Sequence, residues 1–216
     1  MKIRPMEPSE LDLIAEHLGR TFAADPSLGW VVRNSRDPEG LIAAFYSIVT
    51  AEVMAIGHID TAWDGDDYMG AAIWMPPGAK LPRSVLRKAI RLVPQVGRAW
   101  PSLIRYIQAA NTVKLPFPAW YLSVIAVEES ARGRGVGSAL LDAGLSRIGG
   151  EAARLEATSE RAAKLYESRG FIRLGELTTP APVPEINMWR PGQHCAPMTK
   201  GPPRHCRGGP FNQIRC

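Results

Sequence analysis

No cysteine occurs before Cys195, and the other two, Cys206 and Cys216, follow in the same terminal stretch. Disulfide staples within the body are thereby excluded, so its stability has to come from a packed core. Long apolar runs are missing as well. The longest candidate, residues 41–57, is interrupted by Ser47, Thr50 and Glu52 and falls short of the ~20 apolar residues of a membrane-crossing helix. It reads as a buried helix, and no membrane partner is expected. The opening Met1-Lys2-Ile3-Arg4-Pro5 lacks the apolar core of a signal peptide, so a cytoplasmic protein is expected.

Acid is scarce in two places. Residues 191–216 contain Lys200, Arg204, Arg207 and Arg215 but no Asp or Glu, and they account for four of the five formal net positive charges. The rest of the chain is close to neutral, which leaves no electrostatic footprint for a nucleic-acid partner. The second acid-free stretch, from Lys80 to Lys114, carries Arg83, Arg87, Lys88, Arg91, Arg98 and Arg105. It reads as a solvated helix face, with an anionic partner site as the other reading.

What is present is the composition of a globular protein, 45% hydrophobic and 22% charged, in a chain long enough for one ordinary domain. That domain is expected over residues 1–190, followed at 191–216 by a Pro/Gly/Arg-rich tail expected to be disordered. His194-Cys195 and His205-Cys206 repeat a pair, yet their separation matches no zinc-ligand spacing, and no metal is expected.

Periodicity orders the body. Lys2 to Met6 reads as a strand, and Pro8-Ser9-Glu10 starts a helix carrying Leu11, Ile14, Ala15 and Leu18 on one face. A loop bracketed by Gly29 and Pro38 precedes a second helix through Leu41, Phe45, Ile48 and Glu52. Strands at 58–63 and 68–74 flank the hairpin signal Asp64-Gly65-Asp66-Asp67. The basic stretch reads as two helices whose stripes, Leu86, Ile90 and Val93 and then Trp100, Leu103, Ile104 and Ile107, are assigned to packing. Residues 121–127 form a near-continuous apolar strand, expected to be buried on both faces. A helix over 136–148, a strand over 153–157, a helix over 160–168 and strands over 171–177 and 186–189 complete the body.

The segment Arg132-Gly133-Arg134-Gly135-Val136-Gly137-Ser138 joins that apolar strand to a helix. Main-chain N–H groups converging on a helix N-terminus bind anions, glycines admit a close approach, and an arginine adds a charge-assisted contact. A pyrophosphate is the natural ligand; a tight strand-to-helix turn is the structural alternative. A dinucleotide-binding protein is a further alternative, because Glu156 follows Gly135 at about the distance of a ribose-binding acid. Against it, the glycines run G-x-G-x-G and no repeated βαβ pattern is present. Glu156 sits between Leu155 and Ala157 on a strand, so it points into one layer, where it could accept a proton from an ammonium or serve as a salt-bridged strand end.

The R-x-x-G-x-G turn, followed by Leu155-Glu156-Ala157-Thr158 and by Ala162, Leu165, Tyr166, Gly170 and Phe171, resembles the GNAT superfamily of N-acetyltransferases in motif and order. Pro118-Ala119-Trp120-Tyr121-Leu122 and Met188-Trp189-Arg190 look like the puromycin N-acetyltransferase branch. The resemblance implies an α/β fold with a mixed, partly splayed central sheet flanked by helices, the basic stretch being an extra helical insertion before the central strand. It implies acetyl-CoA as co-substrate, its pyrophosphate on the amides of Arg132, Gly133, Arg134, Gly135, Val136, Gly137 and Ser138. Its pantetheine would lie along the backbone of Ile125, Ala126 and Val127. Tyr166 matches the tyrosine that protonates the departing thiolate. Ser159 stands where many members have a pantetheine-binding Asn.

The function expected is transfer of an acetyl group to a primary amine of a small molecule, with Tyr166 and Glu156 as catalytic residues. Trp120, Tyr121 and Ser123 would line the acceptor pocket, and Trp30, Phe45 and Trp74 are looser candidates. A protein or peptide amine acetyltransferase and a non-catalytic acyl-CoA-binding regulator are the alternatives. The acceptor's identity and the oligomeric state are left open.

Overall fold

The turn Asp64-Gly65-Asp66-Asp67 sets strand β2 (His58–Asp64) antiparallel to β3 (Asp67–Met75), as its residues predict. The computed structural model describes residues 1–79, 82–110, 112 and 117–193. Apart from residues 191–193, the terminal tail and its cysteines lie outside the described residues. Five further strands, β1 (Lys2–Pro5), β4 (Trp120–Val127), β5 (Ala153–Ala157), β6 (Ile172–Leu177) and β7 (Glu185–Arg190), complete one sheet of order β1-β2-β3-β4-β5-β7-β6. Every neighbouring pair is antiparallel except β4–β5.

Helices cover both faces because β3 is apolar on both. Its successive residues Ile73 and Trp74 are fully buried and point opposite ways. Ile73 joins a core built from helix α1 (Leu11–Ala23), which supplies Ile14 and Leu18, and helix α3 (Pro38–Val53), which supplies Val49 and Val53. Trp74 joins a second core with Leu140 and Leu141 of helix α7 (Val136–Arg147) and Ala163 and Tyr166 of helix α8 (Glu160–Glu167). Each large buried side chain contributes about 1.5–3 kcal/mol by leaving water. Gly144 lets α7 lie against the indole: a Cβ there would stand 2.1 Å from Trp74 Nε1.

Local chemistry sets the helix starts. Glu7 and Glu10 form a capping box ahead of α1. Asp37 accepts from the Gly40 amide at 2.9 Å to begin α3, and Ser159 accepts from the Ala162 amide at 3.2 Å to begin α8.

Three expectations are corrected. The loop expected between Gly29 and Pro38 contains a short helix, α2 (Leu28–Val32), begun where the Asp25 carboxylate accepts from the Ser27 and Leu28 amides. The central strand packs against both cores, Leu122 in the second and Val124 and Ala126 in the first, but its burial is incomplete, with Tyr121, Ser123, Ile125 and Val127 only half-buried. Of the two stripes assigned to packing in the basic insertion, the first points largely outward, Leu86 being 69% and Ile90 61% exposed, whereas the second holds in part, at Trp100 and Leu103 but not at Ile104. There, helix α4 (Arg83–Ala89) passes through a 3-10 turn at Ile90–Leu92 into α5 (Val93–Val96), and a second 3-10 turn at Gly97–Ala99 leads to α6 (Trp100–Ala110). These breaks shift the helical phase, so that Val85, Val96 and Ala99 become the buried residues and Trp100, Leu103 and Tyr106 pack half-buried against the first core.

Candidate functional site

A β-bulge starts the site. Ile73 pairs with Val124 and Trp74 with Leu122, so Ser123 has no opposite number on β3. The extra residue bends β4 and reverses the parity of its side chains. On its other edge β4 pairs with β5 only at Trp120↔Ala153 and Tyr121↔Arg154. From Leu122 to Val127 that edge has no partner on β5, and its N–H and C=O groups face a cleft between two diverging strands.

The outer part of the cleft is a cavity of about 730 Å³, lined by Val127, the glycine turn, the start of α8, Thr21 of α1 and Asp25 just beyond that helix. Gly133 and Gly135 both have φ near +80°, a conformation that costs side-chain-bearing residues strain. Gly135 is the N-cap of α7 and offers no side chain to its amides. The N–H groups of Val136, Gly137 and Ser138 therefore remain without intrahelical partners and open at the cavity wall.

Two expected contributors are diverted. The Arg132 and Arg134 amides donate to the Glu129 and Ala131 carbonyls at 3.2 and 3.3 Å, so the turn spends these two donors on itself. The Arg134 guanidinium reaches away to Asp64 Oδ2 at 2.6 Å and does not line the cavity, whereas the Arg132 side chain does. Arg161, in the first turn of α8, adds a cation that sequence reasoning missed. Ser159 lines the same wall while capping its helix.

A smaller inner cavity of about 200 Å³ adjoins it, bounded by Tyr121, Ser123 and Ile125 of β4, Glu156 of β5, Tyr166 of α8 and Glu185 of β7. Its other walls include Thr21 and Asp25, shared with the outer cavity, together with Tyr46 and Tyr106. Trp120 is absent from it, because the pleat sends its ring to the opposite side, stacked on His58 at 5.1 Å. Ala126 likewise turns into the first core. Among the looser candidates, Trp74 is wholly buried, Trp30 lies under the Arg33 guanidinium at 3.4 Å, and Phe45 packs edge-on to Tyr46.

The inner cavity is polar and acidic, and among the described residues no Lys or Arg lines it. Glu156 pairs with Arg154 at 3.1 Å; burial raises its pKa above the ordinary carboxylate value, while the Tyr121 hydroxyl and Arg154 act in the opposite direction. Glu185 accepts from Ser27 Oγ at 2.5 Å and from the Tyr106 hydroxyl at 3.1 Å. Burial raises it too, those two donors oppose the shift, and the nearby Glu156 and Asp25 charges add to it. Burial alone raises the Tyr166 phenol, which stays protonated across the physiological range. Such a site can hold a cation, offer a carboxylate as proton acceptor and supply a phenolic proton.

Glu185, Tyr106 and Tyr46 carried no functional signal in the sequence. Asp25 had one, since Asp-Pro-Ser before an apolar run is a helix start. Among the described residues, no group of His, Cys, Asp and Glu has the arrangement of a metal site, and no helix is long and apolar enough to cross a membrane.

Comparison with known proteins places this geometry. The acetyltransferase (GNAT) domain model matches residues 102–173. The chain is 32% identical to a histone acetyltransferase HPA2 and related acetyltransferase from Corynebacterium glutamicum ATCC 13032, covering 92% of this chain and 98% of that one with a TM-score of 0.73. The fold is shared with arylalkylamine N-acetyltransferase 2 from Aedes aegypti, at 18% identity, 88% and 97% coverage and a TM-score of 0.61. It is shared also with an N-acetyltransferase from Staphylococcus aureus Mu50, at 19% identity, 88% and 100% coverage and a TM-score of 0.55.

Proposed function

Because the chain belongs to the GNAT acetyltransferases, a family that uses acetyl-CoA as co-substrate, we propose that it transfers the acetyl group of acetyl-CoA directly to a primary amine of a small molecule. The observation that carries this reading is the junction of two unlike cavities at the splay: an anion-binding outer one and an acidic, tyrosine-rich inner one.

The residues present fit the co-substrate. Free N–H groups at the start of α7, with Arg132 and Arg161 beside them, suit a pyrophosphate. The unpaired edge of β4 suits an extended amide-bearing arm, which can add to it as a strand would. The chemistry supplied by acetyl-CoA is an acetyl group activated as a thioester.

This chain's residues then manage the protons. Glu156 takes a proton from the acceptor's ammonium, directly or through water, so that a neutral nitrogen meets the carbonyl carbon. N–H groups along the unpaired edge of β4 steady the negative charge that develops on the carbonyl oxygen. As the N–C bond forms and the C–S bond breaks, Tyr166 protonates the departing sulfur. Overall the ammonium gives up two protons: one reaches solvent by way of Glu156, and the second balances the proton that ends on sulfur.

The size of the inner cavity favours a small molecule over a peptide segment. A closed apolar cavity of about 150 Å³ holds a benzene ring, and about 200 Å³ holds little more. Tyr106 of α6 and Asp25 beyond α1 help to enclose it. The finer likeness to the puromycin N-acetyltransferase branch rests on sequence motifs and assigns no acceptor. The test is thiol release from acetyl-CoA with a panel of small primary amines, each product identified by its added acetyl mass.

A further inference from the structure

On β7, Glu185 lies two residues before Asn187, which pairs with Glu156 of β5. The two carboxylates therefore stand on one face of the sheet as diagonal neighbours, with Cα atoms about 7–8 Å apart. The opposite face of the same strands, through Leu155, Ile186 and Met188, is given over to the core. Glu156 and Glu185 line the same cavity as Tyr166 and the β4 bulge, where acetyl transfer is assigned.

Among the described residues Glu185 has no cationic partner. Its two hydrogen bonds there, from Ser27 and Tyr106, both fall on Oε1, and no described Lys or Arg lines the cavity. A second, independent feature marks the same cavity. The Tyr46 side chain is more than nine-tenths buried and lines the cavity. Its ring is packed against Phe22 and Phe45, and among the described residues no hydrogen bond to its hydroxyl is formed. A phenol at the cavity wall, next to a buried carboxylate that has no counter-cation among the described residues, offers two polar groups to one ligand. An ammonium matches both, because it carries positive charge and three N–H donors and accepts nothing.

We infer that the acceptor is a short alkyl diamine: one nitrogen is acetylated beside Glu156, and the other remains an ammonium held by Glu185 and the Tyr46 hydroxyl. This inference rests on the acetyl-transfer reading and adds to it the substrate's second charge. A monoamine would leave Glu185 buried and uncompensated, whereas a few methylenes between two nitrogens carry one charge to each carboxylate. The raised pKa of Glu185 agrees with a site that lacks its cation when empty.

The experiment compares 1,4-diaminobutane with butylamine on the full chain, by steady-state turnover of acetyl-CoA and, separately, by calorimetric binding of each amine. A charge-assisted contact predicts kcat/KM and affinity about 10–100-fold higher for the diamine. Glu185→Gln retains an acceptor for Ser27 and Tyr106 but not the charge, and should bring that ratio down towards one. Tyr46→Phe should reduce it severalfold and serves if the Gln variant does not fold. Equal use and equal binding of the two amines by the unaltered chain would overturn the inference while leaving acetyl transfer standing. If neither amine releases thiol, the transfer reading fails, and the calorimetric preference still decides for or against a diamine site.

Discussion

Tyr121 and Arg154 form the last parallel pair between β4 and β5, and the Arg154 guanidinium lies 3.9 Å above the Tyr121 ring. Beyond this pair the strands part. The stacked contact sits at the fork, with the paired end of the two strands behind it and the two cavities ahead, and Arg154 also binds Glu156 at 3.1 Å. One arginine thus helps to fix both the fork and the carboxylate assigned as base.

The two arginines of the glycine turn should separate in function. Arg132→Ala is expected to weaken acetyl-CoA binding about tenfold, since its side chain lines the outer cavity and a charge-assisted hydrogen bond to phosphate is lost. Arg134→Ala should change it less than threefold, because that guanidinium is engaged by Asp64. Calorimetry with acetyl-CoA checks both, and a larger loss from Arg134→Ala would reverse the assignment.

Tyr166→Phe should lower kcat by ~10²–10⁴-fold, the range for removing a general acid, with little change in acetyl-CoA affinity. The ring keeps its contact with Phe171 at 5.9 Å, and among the described residues the hydroxyl has no hydrogen-bond partner to orphan. The melting temperature should therefore stay within a degree or two. Unimpaired turnover would remove Tyr166 from the chemistry.

For Glu156 the pH dependence has a definite sign. A base works only when deprotonated, and burial raises this carboxyl. The acidic limb of the kcat/KM profile should then have its midpoint above the ordinary carboxylate value, the rate rising with pH through it. Glu156→Gln should lower the plateau and abolish that limb. A limb that persists unchanged in the Gln variant would assign the base elsewhere.

Stability offers a test away from the site. Gly144→Ala would drive a Cβ to within 2.1 Å of Trp74 Nε1 and 2.5 Å of Cε2, in a core where the indole is wholly buried. Overpacking of this kind costs about 1–3 kcal/mol, a fall of several degrees in a domain of this size. A melting curve equal to that of the unaltered chain would contradict the packing.

Much of this was legible because it depends on neighbours in sequence. The hairpin at Asp64–Asp67, the glycine turn feeding α7 and the Ser159 cap each follow from a few adjacent residues, and with them the α/β order and the phosphate-facing wall. What escaped depends on residues that are distant in the chain. Glu185 meets Ser27 across 158 positions, and Arg134 is drawn off by Asp64 across 70, pairings that no spacing rule contains. The bulge at Ser123 reverses the side-chain parity of β4, so the run 120–127 could not say that Trp120 faces away from the pocket. In the basic insertion, the 3-10 turns at Ile90–Leu92 and Gly97–Ala99 shift the helical phase, which the two apolar stripes by themselves do not reveal.

A single reaction decides whether the chain moves the acetyl group of acetyl-CoA to a small primary amine. The full chain is incubated with acetyl-CoA and 1,4-diaminobutane, with free thiol followed by absorbance and the amine by mass. Direct transfer should release one thiol for each N-acetyl group gained, and no thiol above background without amine. Thiol release that does not depend on amine, or none with any amine of the panel although acetyl-CoA binds, would contradict it.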